Sequence, residues 1–360
     1  MRRLDTIENA LNVSAPDPAC DTLFLPFANN ALTWPTTGRA LFLRARLGAA
    51  WRSTRYASSL VCEQSFKPDA DRLEQAGLHL DADADERFPL VLILPPRQRD
   101  EARALFAQAL RRVTPGGVVV ASVPNNLGAR SAETDLERIA GPVTNLSKNK
   151  CRVFWVTADA NSIDAAVFEE WSALDAPRPI ADGLFSSRPG LFHWDAIDPA
   201  SRLLAEHLPS DLAGRAADLG AGYGYLSARL IEKNPQIIAV DLYEAEARAL
   251  ELARTNLCAE SARVELGFHW HDVRRGLLAR YDVVVSNPPF HQGRADAPGL
   301  GQAFIHAAAA ALRPGGQLWL VANRHLPYET ALTRLFLQVQ TVAVGEGFKV
   351  IQASKATDTP

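Results

Sequence analysis

An asparagine followed by two prolines and an aromatic ring, Asn287-Pro288-Pro289-Phe290, is the stretch of this chain best equipped for chemistry. The Asn287 amide oxygen and the Pro288 backbone carbonyl can both accept from one planar NH2 group. Phe290 offers a face for that group's ring to stack on. An amide or nucleobase NH2 is a poor nucleophile, because its lone pair is delocalised. Two fixed acceptors hold it in line with an electrophile and stabilise the charge that develops. Asn287, Pro288 and Phe290 are thus the candidate catalytic residues. An ordinary strand-ending turn would use the same residue types, so their surroundings must decide.

Those surroundings are strands, helices and a glycine turn. Val283 to Val285 is a β-branched run, the mark of a buried parallel strand. Two prolines end it, leaving a stiff loop at the strand's carboxyl end, where open α/β sheets bind ligands. Upstream, Arg215 to Gly224 carries Asp218-Leu219-Gly220-Ala221-Gly222-Tyr223-Gly224 and then opens a helix at Tyr225. Gly220, Gly222 and Gly224 permit positive φ and close backbone approach to a ligand facing the helix N-terminus. The next strand, Gln236 to Val240, is expected to end in Asp241, a carboxylate placed to bind both ribose hydroxyls of a nucleoside. Asp272, near the end of a third strand, can meet an adenine amino group or can be surface charge. Asp198 can cap the helix that follows it. A nicotinamide cofactor would use the same first turn, but it would usually show Gly-x-Gly-x-x-Gly and would leave the Asn287 loop unexplained. S-adenosylmethionine fits both: a nucleoside for Asp241 and an electrophilic methyl for an NH2 held by Asn287.

The first half repeats this plan without its chemistry. Phe88 to Pro96 aligns with Tyr281 to Pro289 without a gap, and Ala109-Leu110-Arg111 and Ala311-Leu312-Arg313 precede the same Pro-Gly-Gly. Leu94 stands for Asn287 and Arg97 for Phe290. The arginines Arg39, Arg44, Arg46 and Arg52, interleaved with Trp34 and Trp51, can bind phosphates and bases, or can simply pair with acids elsewhere. The expected division is a degenerate, non-catalytic domain over 1–172, a Pro-containing linker over 173–190, and a catalytic domain over 191–360. With 360 residues and 47% hydrophobic composition, the chain can bury two cores. A net charge of −3 gives no global signature of a nucleic-acid binder. The 4 cysteines are dispersed, with no metal-ligand spacing, so no metal is expected. No apolar run reaches membrane-spanning length, and the expectation is a cytoplasmic protein without a membrane partner.

The second half resembles class I S-adenosylmethionine-dependent methyltransferases through the Asp218–Gly224 turn, Asp241 and Asn287-Pro288-Pro289-Phe290. The whole chain is similar to the bacterial ribosomal RNA guanine-N2 methyltransferases of the small-subunit methyltransferase C and large-subunit methyltransferase G type. Val321 to Tyr328 and Phe348-Lys349-Val350 share in that likeness. The resemblance implies two tandem Rossmann-like α/β domains, each a mostly parallel seven-stranded sheet ending in an antiparallel hairpin, with only the second active. It implies methyl transfer to the exocyclic N2 of a guanine in ribosomal RNA, with 16S the expected target and 23S the alternative. Asp198 and Asp218 would then sit near the methionine end of the cofactor. His291 and Lys349 are candidate RNA contacts beside the arginines. A monomer acting on ribosomal RNA or a ribosomal subunit is the expected form. Two other functions fit less well: methylation of a protein glutamine, and a non-catalytic RNA-binding assembly factor.

Overall fold

Each half of the chain alternates apolar strands with amphipathic helices, a pattern that closes by laying parallel strands together beneath helices on both faces. The computed structural model describes residues 17–48, 58–80, 83–289, 291–292, 295–296 and 298–357, and of 291, 292, 295, 296 and 298 only the backbone. The chain divides into one unit ending at Ala176 and another beginning at Pro177.

The first unit holds β1 (Ala40–Leu43), β2 (Leu60–Glu63), β3 (Phe88–Ile93), β4 (Val113–Pro124), β5 (Thr144–Lys148) and β6 (Cys151–Thr157), in the order β2-β1-β3-β4-β6-β5. Seven strands are expected here, and among the described residues the sheet has 6. The seventh position is reduced to one parallel bridge, Val61 to His79, where the Cys62 amide donates to the His79 carbonyl at 2.8 Å. The acidic residues Asp83, Asp85 and Glu86 follow soon after, and such residues do not extend a strand.

In the second unit, β7 (Arg178–Ile180) and β8 (Phe185–Ser187) form a hairpin inside the stretch expected as a linker. It belongs to this unit: Ile180 and Phe185 join the core, and Asn256 bonds both the amide and the carbonyl of Ser186, at 2.8 and 3.0 Å. The main sheet comprises β9 (Gly214–Leu219), β10 (Ile237–Glu244), β11 (Glu265–Trp270), β12 (Tyr281–Ser286), β15 (Leu312–Asn323), β16 (Gln338–Gly345) and β17 (Phe348–Ser354). Its order is β11-β10-β9-β12-β15-β17-β16, seven-stranded as expected, with β17 antiparallel to both neighbours. β13 (His291–Gln292) and β14 (Ala295–Asp296) form a short separate ribbon. The chain runs outward from β9 through β10 to β11, then returns to lay β12 on the other side of β9. Strand order thus reverses at β9 and β12, and open α/β sheets bind ligands at the carboxyl ends of strands at such a reversal. Among the described residues no helix is long and apolar enough to cross a membrane.

A buried polar network underlies this sheet. The Tyr281 hydroxyl donates to Asp241 Oδ2 at 2.8 Å and lies 2.6 Å from the Tyr243 hydroxyl, while His269 Nε2 reaches Asp241 Oδ1 at 3.0 Å. Gly267 on β11 is required beside it, since a Cβ there would lie 1.9 Å from Asp241 Oδ1. Burial, and then the bonds to Tyr243 and Asp241, push the Tyr281 hydroxyl far above its ordinary pKa, so it remains a donor. Tyr281→Phe should lower the unfolding free energy by about 1–3 kcal/mol, because it strips a donor from a buried carboxylate; urea denaturation of the variant measures this.

Candidate active site

The turn after β9 is shaped by its glycines. Gly220, Gly222 and Gly224 have φ of 72°, 55° and 93°, left-handed values that residues with a Cβ adopt only under strain. The amides of Gly220 and Ala221 donate to the Tyr243 carbonyl at 2.8 and 3.2 Å, fastening the turn to β10. Gly222 donates instead to Glu244 Oε2 at 2.7 Å, and a Cβ at Gly222 would meet open space. Glu244 therefore stands at the tip of β10 beside the turn. Desolvation raises its carboxyl above the ordinary range, opposed by the amides of Glu246 and Gly222. This residue was missed from the sequence. The signal was present, since Leu242 and Tyr243 carry the apolar strand past Asp241.

Asp218, at the end of β9, is fully buried. Its Oδ2 accepts from the Ser227 hydroxyl at 2.8 Å, while its Oδ1 has no partner. Burial pushes its pKa up to about 7, against the pull of the Ser227 bonds. The bare carboxylate oxygen lies beside the glycine turn, a buried acceptor without a donor.

Asn287 shows the same feature. Its Nδ2 donates to Asp198 Oδ2 at 2.8 Å and to the Ser201 hydroxyl at 2.9 Å, and its Oδ1 is buried without a partner. A carboxylate only accepts, so Asp198 fixes which end of the amide faces it. The carbonyl end is thereby turned away, as an acceptor without a donor. Asp198 is itself held as the cap of the helix Pro199–His207, accepting from the Ser201 amide at 2.7 Å. Its Oδ1 lies 3.2 Å from His193 Nε2. Ser201 too was missed by sequence reasoning, because a hydroxyl in the first turn of a helix carries no distinctive spacing. Pro288 is buried and Pro289 exposed, while Phe290 lies outside the described residues.

Other expectations need correction. Asp241 is not at a strand tip: β10 runs on to Glu244, and Asp241 pairs across to Ala217 and Gly267 within the sheet. Its carboxylate is occupied by Tyr281 and His269. Asp272 caps the short turn Val273–Arg275 and accepts from the Arg274 guanidinium at 2.7 to 3.0 Å. Burial acts to raise its pKa, and the bonds from Arg274 carry it below the usual range instead. Lys349 is buried, donating to the Leu326 carbonyl at 2.7 Å and to Glu329 at 2.6 Å, so it offers no charge to RNA. Arg39 pairs with Glu86, Arg44 with Glu101, and Arg46 with Asp17 at 2.7 Å, the second of the two readings open for them in the sequence. Arg52 and the His291 side chain lie outside the described residues. Among the described residues no group of three or more metal-ligating side chains converges.

The first unit carries the same turn with different residues. Sheet pairing sets Leu43 beside Ile93 as Leu219 lies beside Ser286, so Phe42 takes the place of Asp218 and Arg44 that of Gly220. Arg44 keeps the left-handed turn, with φ 53°. The Ala45 amide bonds the Glu63 carbonyl at 3.1 Å, just as Ala221 bonds Tyr243. Gln64 replaces Glu244 and donates to the Ala45 carbonyl at 2.7 Å. The helix Pro18–Leu23 lies on the turn, and a Cβ on Gly48 would come within 2.6 Å of Asp21 Oδ1.

A mixed sheet of this order, with a glycine turn after its first strand and an Asn-Pro-Pro loop after its fourth, defines a class I methyltransferase domain. Residues 182–352 match the family model described as Methyltransferase small domain. Large-subunit methyltransferase G of Streptomyces avermitilis is 30% identical over 344 residues, covering 89% of this chain and 88% of the relative. Small-subunit methyltransferase C of Psychromonas ingrahamii is 28% identical over 293 residues, covering 80% and 82%. A 16S rRNA N2 methyltransferase from T. thermophilus, solved with AdoMet and guanosine, superposes with a TM-score of 0.78 at 27% identity, covering 94% of this chain and 92% of that one. The chain belongs to this family of ribosomal RNA methyltransferases.

Proposed function

We propose that the second unit transfers the methyl group of S-adenosylmethionine to the exocyclic N2 amine of a guanine in ribosomal RNA, with Asn287 holding that amine. The observation that carries this is the bare Asn287 Oδ1, a buried acceptor whose Nδ2 is already committed to Asp198 and Ser201. The cofactor supplies an electrophilic methyl on a sulfonium. Asp218 faces its cationic methionine end, Glu244 takes the ribose hydroxyls in place of Asp241, and Gly222 leaves room for the nucleoside. Asn287 and the Pro288 carbonyl accept from the guanine NH2, orient its lone pair toward the methyl and stabilise the positive charge that grows on nitrogen. The ammonium so formed is acidic enough to lose a proton to water. The guanine must be unpaired or flipped out to reach this loop. The first unit is a non-catalytic copy. The 16S RNA is the proposed substrate, because the neighbour that superposes along nearly the whole chain acts on 16S rRNA.

Asn287→Ala should abolish methyl transfer while leaving cofactor affinity within about threefold, the loss expected when an interaction serves the transition state alone. Methyl-label incorporation and calorimetry on the same preparation check it, and mass mapping of the labelled RNA reports 16S or 23S. Comparable losses in both measurements would sink the role.

Glu244→Ala should weaken the cofactor at least about tenfold, through lost ribose hydrogen bonds, whereas Asp241→Ala should act chiefly on stability. Calorimetry beside thermal melting separates the two.

Cofactor affinity should rise with pH through about 7 and then level. The unliganded Asp218 is protonated below that point, and only its carboxylate attracts a cation. Asp218→Asn should flatten the profile.

A further inference from the structure

We propose that Phe192 and Arg324 form the RNA-holding rim of this site, Phe192 stacking the base beside the target guanine and Arg324 taking a backbone phosphate of the same strand. The proposal rests on the reading of the second unit given above. Phe192 is the most exposed phenylalanine among the described residues, at 63%. A single exposed ring is ordinary on a protein surface, so its setting must decide. Its neighbours are anchored: Leu191 is buried in the core, and Trp194 packs against that core with the Arg178 guanidinium 5.5 Å over its ring. The Tyr223 hydroxyl donates to the Ala196 carbonyl at 3.5 Å, tying the same segment to the glycine turn. Between these anchors His193 turns the chain at φ 45°, a conformation few residues with a Cβ adopt. The ring is thus held out on a fixed backbone.

That ring stands close to the reacting amide. The Phe192 and His193 rings meet edge to face with centroids 4.6 Å apart, and His193 Nε2 lies 3.2 Å from Asp198 Oδ1. Asp198 Oδ2 in turn accepts from Asn287 Nδ2 at 2.8 Å. The Asn287 oxygen is buried and Phe192 is not, so a guanine whose amine reaches Asn287 lies deeper than the ring. The ring meets the next base along the strand, and every base has a π-face on which an aromatic side chain can stack. Arg324 supplies the charge. It follows β15, the neighbour of β12, at the same carboxyl end of the sheet as the Asn287 loop. Its amide is fixed to the Gly347 carbonyl at 2.8 Å, and its side chain is exposed. Among the described residues no acid pairs with its guanidinium, whereas Arg274 at the same end of the sheet holds Asp272, and Arg313 at the start of β15 holds Asp282. A guanidinium fork matches the oxygens of a phosphate. A flipped-out guanine leaves its neighbours unpaired, and a stacked base with one phosphate contact keeps the strand in place around it.

Methyl transfer by the full chain, with S-adenosylmethionine and 16S RNA or assembled small subunits, tests this beside filter binding of a guanine-containing single-stranded RNA. F192A should raise KM and the dissociation constant for RNA about tenfold, the loss of one stacked base, with kcat and cofactor affinity changed less than about twofold. F192W should bind RNA as tightly as wild type. R324A should weaken the same RNA and lower the slope of log affinity against log salt by about 0.7, the counterion share of one phosphate on a single strand. R324K should keep that slope. Free guanosine has no neighbouring base or phosphate, so it should compete equally against wild type and both variants. Lost cofactor affinity in F192A, weaker competition by guanosine, or an unchanged salt slope in R324A would overturn the proposal. Both side chains are exposed, so melting curves should not move; F192L, which keeps apolar bulk without the aromatic face, replaces F192A if the latter melts early. Wild-type protein that labels something other than guanine N2 would sink the underlying reading. Guanine labelling with RNA affinity indifferent to both substitutions would sink only this one.

Discussion

The second unit turns on a single directional constraint: the Asn287 amide nitrogen is tied to Asp198 and Ser201, so its oxygen has nowhere to bond within the protein. An amide is nearly symmetric in shape, and nothing in its packing distinguishes oxygen from nitrogen. A carboxylate does, because it cannot donate. The polarity of the site is thus set by Asp198, a residue from a helix far away in sequence, which the same helix needs as its cap. One carboxylate serves local folding and site orientation together.

The sheet determines where this constraint operates. β9 lies between β10 and β12 because the chain reverses direction across it, and open α/β sheets bind ligands at the carboxyl ends of strands where order reverses. The glycine turn leaves the end of β9 on one side of that reversal, and the Asn287 loop leaves β12 on the other. Two prolines keep the loop from continuing the ladder, while the Ser286 hydroxyl bonds the Leu219 carbonyl at 2.8 Å and binds the ends of both strands together. The bare oxygens of Asp218 and Asn287 thus lie at the carboxyl ends of two adjacent parallel strands.

Much of this was legible in the sequence, and the failures have physical causes. The Asn-Pro-Pro loop, the glycine turn and the duplication are written in residue types whose backbone demands are specific. Asp241 misled because an acid interrupting an apolar strand looks like its end. The sheet tolerates this acid internally, since Tyr281 and His269 satisfy it and Gly267 makes room. The arginines of the first unit were ambiguous for a related reason. A guanidinium looks the same in sequence whether it awaits a phosphate or already holds Glu101 or Asp17, and partners distant in sequence decide between them. The hairpin at 178–187 was hidden in prolines that suit an edge ribbon as well as a linker.

Comparison of the two turns shows what an open site costs a fold. Asp218, with its pKa moved from 3.8 to about 7, carries a burden of about 4 kcal/mol at neutral pH. The bare Asn287 oxygen adds about 1–3 kcal/mol. The first unit has none of these liabilities in the corresponding places, where Phe42 and Leu94 are simply buried. Its left-handed residue is Arg44 rather than glycine, and the Arg44 guanidinium pairs with Glu101. Buried residues that leave no polar atom unsatisfied are favoured by stability alone, and this turn carries several of them. The second unit keeps the opposite set of residues, buried polar groups that each cost the folded chain stability.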